Sequence, residues 1–260
     1  MELIFYVYAI ILGLVFGSFL NVLIYRLPRN KPVVLARSAC PNCGHQIAWY
    51  HNVPLLGYLW LRGKCASCRK PISIRYPLVE ATNGAMYCFF LWRFGLTIDA
   101  LVFAALGSAL LVIFLIDADF QIIPDSITLP GIVTGIAVSL IPGGLTIVQS
   151  LIGVAVGGGA LYLIALGGDF LFKKESMGGG DIKMAAMLGS FLGWQKVLLV
   201  FMTSAVVGLV VSIVMMAFSK ALRKERLIPF GPFLSIAAVI AVAWGDQIIR
   251  YYVDNFMTRH

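Results

Sequence analysis

The sequence predicts an all-α polytopic membrane protein of about eight transmembrane helices, interrupted after the first by one small polar domain. Three observations predict it. Of 260 residues, 60% are hydrophobic and only 12% charged, against roughly 45–50% and 25% in soluble domains. Apolar runs near the roughly 20 residues needed to cross a bilayer recur along the chain. Lysine and arginine, which give a formal net charge of +8, concentrate between those runs.

The first run, about Leu3 to Tyr25, is longer than a signal-peptide core and no small-residue cleavage site follows it. It is expected to remain as a transmembrane helix over residues 1–25. The polar segment Arg26 to Tyr76, bracketed by Pro28 and Pro77, reads as a small cytosolic domain over residues 26–77. Residues 78–260 then read as a membrane-embedded helical bundle. Its spans are expected at about Pro77 to Phe94, Ile98 to Ile116, Ile127 to Ile141, Ile147 to Leu166, Ile182 to Trp194, Val197 to Phe218 and Ile228 to Ile249. The sixth span of the chain, Ile182 to Trp194, is short and glycine-rich.

The basic residues set the topology. Arg26, Arg29, Lys31, Arg37, Arg62, Lys64, Arg69, Lys70 and Arg75 lie between the first two spans. Lys173 and Lys174 lie between the fifth and sixth, and Lys220, Arg223, Lys224 and Arg226 between the last two. With eight spans these loops share one side, while the opposite loops and the tail hold only Arg93, Lys196, Arg250 and Arg259. The positive-inside rule makes the rich side cytoplasmic, so both termini are expected outside. The excess charge is a topology signal that also suits acidic lipid headgroups; no nucleic-acid partner is expected.

Inside the polar segment stand Cys40-Pro-Asn-Cys43 and Cys65-Ala-Ser-Cys68. Residues 44–64 separate them, one residue beyond the usual interval of a two-knuckle zinc site. Four thiolates close a tetrahedral shell around Zn²⁺, and such binding folds a loop too small to build a core. Disulfides or a redox relay are the other reading, disfavoured by a reducing cytosol and the lack of a thioredoxin-like pattern. His45 and His51 read as surface imidazoles, and Cys88 as a small packing residue within a span.

Acids at the ends of spans are the remaining chemical signal, because a carboxylate beside hydrocarbon is costly unless paired or hydrated. Two loops carry them: Asp117-Ala-Asp-Phe-Gln-Ile-Ile-Pro-Asp125, and Met177-Gly-Gly-Gly-Asp181-Ile-Lys183. Taken singly, each acid also reads as an interfacial or capping group. On a helix Asp119 lies about 200° from Asp117, so only one can face a bundle interior, and Asp117 is the deeper. Asp125, after Pro124, suits the N-cap of the next span. Lys183 is expected to point away from Asp181, toward lipid phosphate.

Elimination narrows the chemistry. His45, His51 and His260 all lie outside the expected spans, which excludes an intramembrane His-Glu-x-x-His metal site. Ser18, Ser108 and Ser190 lack a histidine base within the bilayer and read as packing residues beside Gly17, Gly107 and Gly189. A pair of aspartates remains: one ionised carboxylate takes a proton from water while its protonated partner polarises a peptide carbonyl. Two like charges held together split their titrations and so supply both acid and base. Asp117 and Asp181 are the candidates, and Gly178, Gly179 and Gly180 read as residues that let backbone approach a substrate strand and turn sharply into a helix. The helix dipole would favour ionised Asp181.

At this point the chain resembles the bacterial type IV prepilin peptidases, of the Gly-x-Gly-Asp class of intramembrane aspartyl proteases. The resemblance rests on motifs in series: Gly17-Ser-Phe-Leu-Asn-Val22 with Arg26-Leu-Pro28, both Cys-x-x-Cys pairs, Arg62-Gly-Lys-Cys65, and Ile72-Ser-Ile-Arg-Tyr-Pro77 with Glu80. Asp117 to Asp125 with Thr128-Leu-Pro130, and Gly178-Gly-Gly-Asp181, complete it. Phe120 stands where His is common, and Gly179 makes the run all-glycine.

What the resemblance implies is a bacterial inner-membrane enzyme with Asp117 and Asp181 as catalytic aspartates. It would cut the basic leader from prepilins or pseudopilins, usually after Gly and often before Phe, and N-methylate the new terminus with S-adenosylmethionine. Members without the cysteine loop are associated with peptidase activity alone, so the loop favours the methyltransferase. Pilus or type II secretion assembly proteins are implied partners. No Rossmann glycine fingerprint is present, so the cofactor-binding residues stay unassigned. Two readings from other classes compete: a proton- or cation-coupled transporter with interfacial acids and broken helices, and a membrane assembly factor that recruits partners through its zinc loop.

Overall fold

The computed structural model describes residues 2–33, 38–173, 177–218 and 229–257. Arg37, Lys174, Lys220, Arg223, Lys224, Arg226, Arg259 and His260, which entered the charge and histidine arguments, lie outside the described residues. The helices are α1 (Glu2–Arg26), α2 (Leu56–Trp60), α3 (Arg75–Phe94), α4 (Ile98–Phe120), α5 (Asp125–Val138), α6 (Ile147–Phe172), α7 (Gly179–Phe218) and α8 (Gly231–Tyr252). Among the described residues β-structure is limited to two isolated bridges, Ala39 with Gln46 and Lys64 with Pro71. Five helices are long and apolar enough to cross a membrane, namely α1, α4, α6, α7 and α8, while α5 is apolar but shorter.

The expected sixth and seventh spans both fall on α7. A straight helix of its 40 residues would be about 60 Å long, twice the hydrocarbon core. It is not straight, because Gly193 adopts φ 76° and ψ 171°, a conformation open to residues without Cβ. A Cβ on Gly157 of α6 would touch both the Ala185 carbonyl and the Val197 side chain. Twelve helical residues would hold those two about 18 Å apart, so the chain doubles back at Gly193. The eight expected spans thus correspond to α1, α3, α4, α5, α6, the two arms of α7, and α8.

The chain forms two compact units, Met1–Val112 and Ile113–His260, with the boundary inside α4. In the first, α1 packs on α3 through glycines that let the backbones nearly touch: a Cβ on Gly17 would lie 2.8 Å from Glu80 Cα. Asn83, fully buried, ties three helices. Its amide donates to the Gly13 carbonyl of α1 at 2.7 Å and its Oδ1 accepts from the Ser108 hydroxyl of α4 at 2.8 Å. Satisfied on both sides, a buried amide in an apolar bundle fixes register. Cys88 packs beside α1, its thiol 3.6 Å from the Tyr6 carbonyl.

In the second unit α6, α5 and α8 all pack on α7. Thr146 and Gln149 form a capping box that starts α6. The α6/α7 contact uses small residues four apart on each side, Gly153 and Gly157 against Ala185 and Gly189, the pattern by which helices associate in lipid. A Cβ on Gly189 would run into the Gly153 carbonyl. We therefore expect Gly189→Val to destabilise the fold by about 3 kcal/mol or more, read as a lower melting temperature in detergent; an unchanged melt would mean the interface is looser than described.

Candidate functional site

Asp117 lies in the last turn of α4, which stops where Gln121 adopts φ 56° and donates its N–H to the Asp117 carbonyl at 2.9 Å. Helix phase puts Asp117 and Asp119 on opposite faces. Asp117 is 5% exposed, whereas Asp119 and Asp125 are exposed. The buried carboxylate meets the start of α8, where the Gly231 N–H donates to Asp117 Oδ2 at 3.0 Å. Pro232 follows and has no N–H, so Gly231 presents the amide of that first turn.

Asp181 is the third residue of α7. From there its carboxylate reaches back to the backbone N–H groups of Gly178 and of Asp181 itself, the geometry by which an N3 acid caps a helix. Its other oxygen, Oδ1, is buried and accepts no hydrogen bond from the described residues. The same holds for the hydroxyl of Thr128, which is fully buried on α5. A buried oxygen left without a donor is rare in folded proteins and marks a place where water or a ligand is met.

Ile123 packs against the glycines that neighbour the two acids. A Cβ on Gly180 would lie 2.9 Å from Ile123 Cβ, and one on Gly231 would lie 3.2 Å from Ile123 Cδ1 and 2.7 Å from Asp117 Oδ2. One short run of contacts therefore leads from Asp181 through its neighbour Gly180 and Ile123 to Gly231 and Asp117. Gly178 precedes α7, and Gly179 and Gly180 are its first two residues. Gly180 is required by contact with Ile123, and Gly179 faces open space.

Two further expectations change. Asp125 is not the N-cap of α5 but its first helical residue, with Pro124 at the cap. Lys183 does not reach for lipid: its Nζ lies 2.6 Å from Asp125 Oδ2, because α5 packs on α7 and the long lysine stem spans the gap. Sequence reasoning missed Gly231 and Ile123. The signal for the first was Gly231-Pro232 itself, a pair suited to opening a helix.

The cysteines are the other cluster. Cys40, Cys43, Cys65 and Cys68 bring their Sγ atoms within 4.8 Å of one another, with Cys40 and Cys68 at 3.9 Å. A tetrahedral zinc site with bonds of about 2.3 Å separates its sulfurs by about 3.8 Å, so the cluster can hold zinc. Two copies of one turn build it. Cys40 N–H donates to the His45 carbonyl and Cys65 N–H to the Lys70 carbonyl, each at 2.9 Å. Gly44 and Arg69 occupy equivalent positions with φ 71° and 58°. Backbone N–H groups of Cys68 and Ser67 pull the Cys65 thiol down to about 6. All four cysteines are free thiols. His45 and His51 are not part of the thiol cluster.

Comparison with known proteins assigns the chain. A model described as the bacterial peptidase A24 N-terminal domain matches residues 11–94, and one described as the type IV leader peptidase family matches residues 104–213. A Pseudomonas aeruginosa protein named prepilin leader peptidase/N-methyltransferase is 39% identical over 94% of this chain and 92% of its own length. The chain belongs to the type IV leader peptidase family. Proteins of the same name from Myxococcus xanthus, 42% identical over 82% of this chain and 63% of that protein, and Neisseria gonorrhoeae, 35% identical over 93% and 91%, are also similar. No solved structure matches the chain. Within this leader peptidase, the first family region contains the thiol cluster, and the second contains Asp117 and Asp181.

Proposed function

We propose that this protein removes the basic leader peptide from type IV prepilins or pseudopilins and then N-methylates the new terminus with S-adenosylmethionine. Family membership supports both activities. What supports the peptidase is that Ile123 packs against both Gly180, beside Asp181 at the start of α7, and Gly231, whose N–H holds Asp117 at the end of α4.

Asp117 and Asp181 act as the catalytic aspartates. The pair holds one proton between them, the ionised member activating water and the protonated member polarising the scissile carbonyl. Asp181 Oδ1, buried and without a protein donor, is the atom free to meet that water or the peptide. Gly231 holds Asp117 through its N–H. Gly178 supplies an amide to Asp181, and Gly180 lets the turn close on Ile123. The substrate's hydrophobic helix stays in lipid while its leader remains in the aqueous phase, which avoids exposing unpaired backbone to hydrocarbon.

The organisation we assign is a first transmembrane helix over residues 1–25, a four-cysteine zinc domain over 26–77 and the protease bundle over 78–260. The chain sits in the bacterial inner membrane with both termini outside and the zinc loop cytoplasmic, its basic loops against acidic headgroups. Pilus or type II secretion assembly proteins are its neighbours. A transporter or an assembly factor accounts less well for a chain of the leader peptidase family.

Purified protein, a synthetic prepilin and mass spectrometry, with and without S-adenosylmethionine, test the reading. A mass loss equal to the leader, then a methyl-sized gain, is expected; an uncut substrate overturns it. Zinc is assigned a structural role, so one metal per chain is expected by elemental analysis. Cys40→Ser is expected to release it, since each such site draws on the order of 10 kcal/mol of folding free energy from the metal. That variant should lose methylation more than cleavage, and equal loss of both would merge the two roles.

A further inference from the structure

Several sequence segments that the acid pair does not use converge in the first unit. A cavity of about 740 Å³ lies among α1, α3 and the cysteine turns, a size within the roughly 300–1,000 Å³ of small-molecule sites. Ser18 and Tyr25 of α1, Tyr76 and Glu80 of α3, Lys31 and Tyr58 are among its walls.

Its chemistry is specific. Glu80 is 8% exposed, and its Oε2 accepts the Leu55 N–H at 2.8 Å, with the Ser18 hydroxyl also on the carboxyl group. Among the described residues no basic side chain forms an ion pair with it. A buried carboxylate is retained when something positive or donating meets it. The amide that holds it comes at a conformational cost. Leu55 sits at φ 59°, ψ −49°, and the Leu56 N–H closes on the Pro54 carbonyl at 2.6 Å. This is a γ-turn of the rare, strained hand, at a residue with a Cβ. Strain of this kind persists where the surroundings hold it, commonly at ligand clamps. Three tyrosines, Tyr25, Tyr58 and Tyr76, line the same cavity, and tyrosine faces stack on aromatic bases and attract cations. Positive charge gathers at the Tyr25 end, where the Arg29 guanidinium and the Lys31 ammonium lie 4.4 and 5.2 Å from its ring centre.

We propose that this cavity is the methyl-donor site, with Glu80 facing the sulfonium of S-adenosylmethionine, the tyrosines taking its adenine, and Lys31 its carboxylate. The assignment rests on the methyltransferase reading given above. When bound, the donor supplies a methyl group: the carbon–sulfur bond breaks with its electron pair left on sulfur, and the lone pair of a neutral terminal amine forms the new bond, giving a methylated ammonium. The protein's part is to place a carboxyl group beside a cation that loses its charge on transfer; the cation favours the ionised carboxylate, so the substrate form binds more tightly than the spent thioether.

The test uses full-length protein purified in detergent with its zinc. Ultraviolet crosslinking of radiolabelled S-adenosylmethionine should label peptides within residues 18–80. Glu80→Gln, which preserves the acceptor for Leu55 N–H, should raise the Kd for S-adenosylmethionine about 10-fold or more, but that for S-adenosylhomocysteine by less than about threefold, since only the former carries the charge. Ser73→Trp, an exposed lining residue, should weaken both ligands by filling the cavity. Retained zinc and unchanged melting establish that both variants are folded. If wild-type protein binds the donor yet both variants bind it equally well, or the label falls outside these residues, the site is wrong and the methyltransferase reading survives. If wild-type protein binds no donor and methylates nothing, both fall together.

Discussion

Asp117→Asn and Asp181→Asn are each expected to lower kcat for leader cleavage by about 10³-fold or more, and the double variant to be little worse than either. The reason is the shared proton. An amide can neither accept a proton from water nor give one to a carbonyl, so losing one member removes both functions of the pair. Non-additivity distinguishes this from two acids that contribute separately. Asparagine has the shape of aspartate and keeps an acceptor for the Gly231 N–H at position 117, so membrane levels, zinc content and melting should hold. Activity within tenfold of wild type in either variant would remove that acid from the chemistry. Asp119→Asn, at the exposed position of the same turn, should stay near wild type in the same assay.

How much of this was legible beforehand differs from residue to residue, and the differences have physical causes. Helix phase allowed only one of Asp117 and Asp119 to face inward and depth in the span favoured Asp117; Asp117 is buried and Asp119 exposed. The cysteine turns were legible because metal ligation imposes short fixed spacings, and the structure repeats one hydrogen-bond pattern at both. The helices behind the eight expected spans were countable because hydrophobic length is set by the bilayer, although five of them are long and apolar enough to cross it and Gly193 alone separates the two arms of α7. Contacts across long separations were not legible. Nothing local to Asp117 identifies Gly231, 114 residues away, and the partner of Lys183 depends on α5 lying beside α7. The glycine run shows the limit most clearly. Its composition suggested a turn, but the requirement at Gly180 is the side chain of Ile123, a residue that hydropathy treats as ordinary apolar filler.

Gly231→Ala is expected to lower kcat by on the order of 10²-fold while changing KM little, the cost of displacing a catalytic group by about 1 Å. The substitution leaves the N–H in place and adds one methyl group. That methyl would stand 2.7 Å from Asp117 Oδ2 and 3.2 Å from its Cγ, so the carboxylate or the α8 terminus must shift. Neither has free room: Asp117 is buried, and the first residues of α8, Gly231 to Ser235, are buried as well. A moved carboxylate loses its alignment with Asp181 and the helix-terminal amide that steadies its charge. Alanine is the better helix former, so the variant should not melt early, which separates loss of placement from loss of fold. Gly159→Ala is the matched control, because a Cβ there meets nothing within 4 Å, and it should cleave like wild type. If both alanine variants cleave normally, the Gly231 contact is incidental and Asp117 is held by something else.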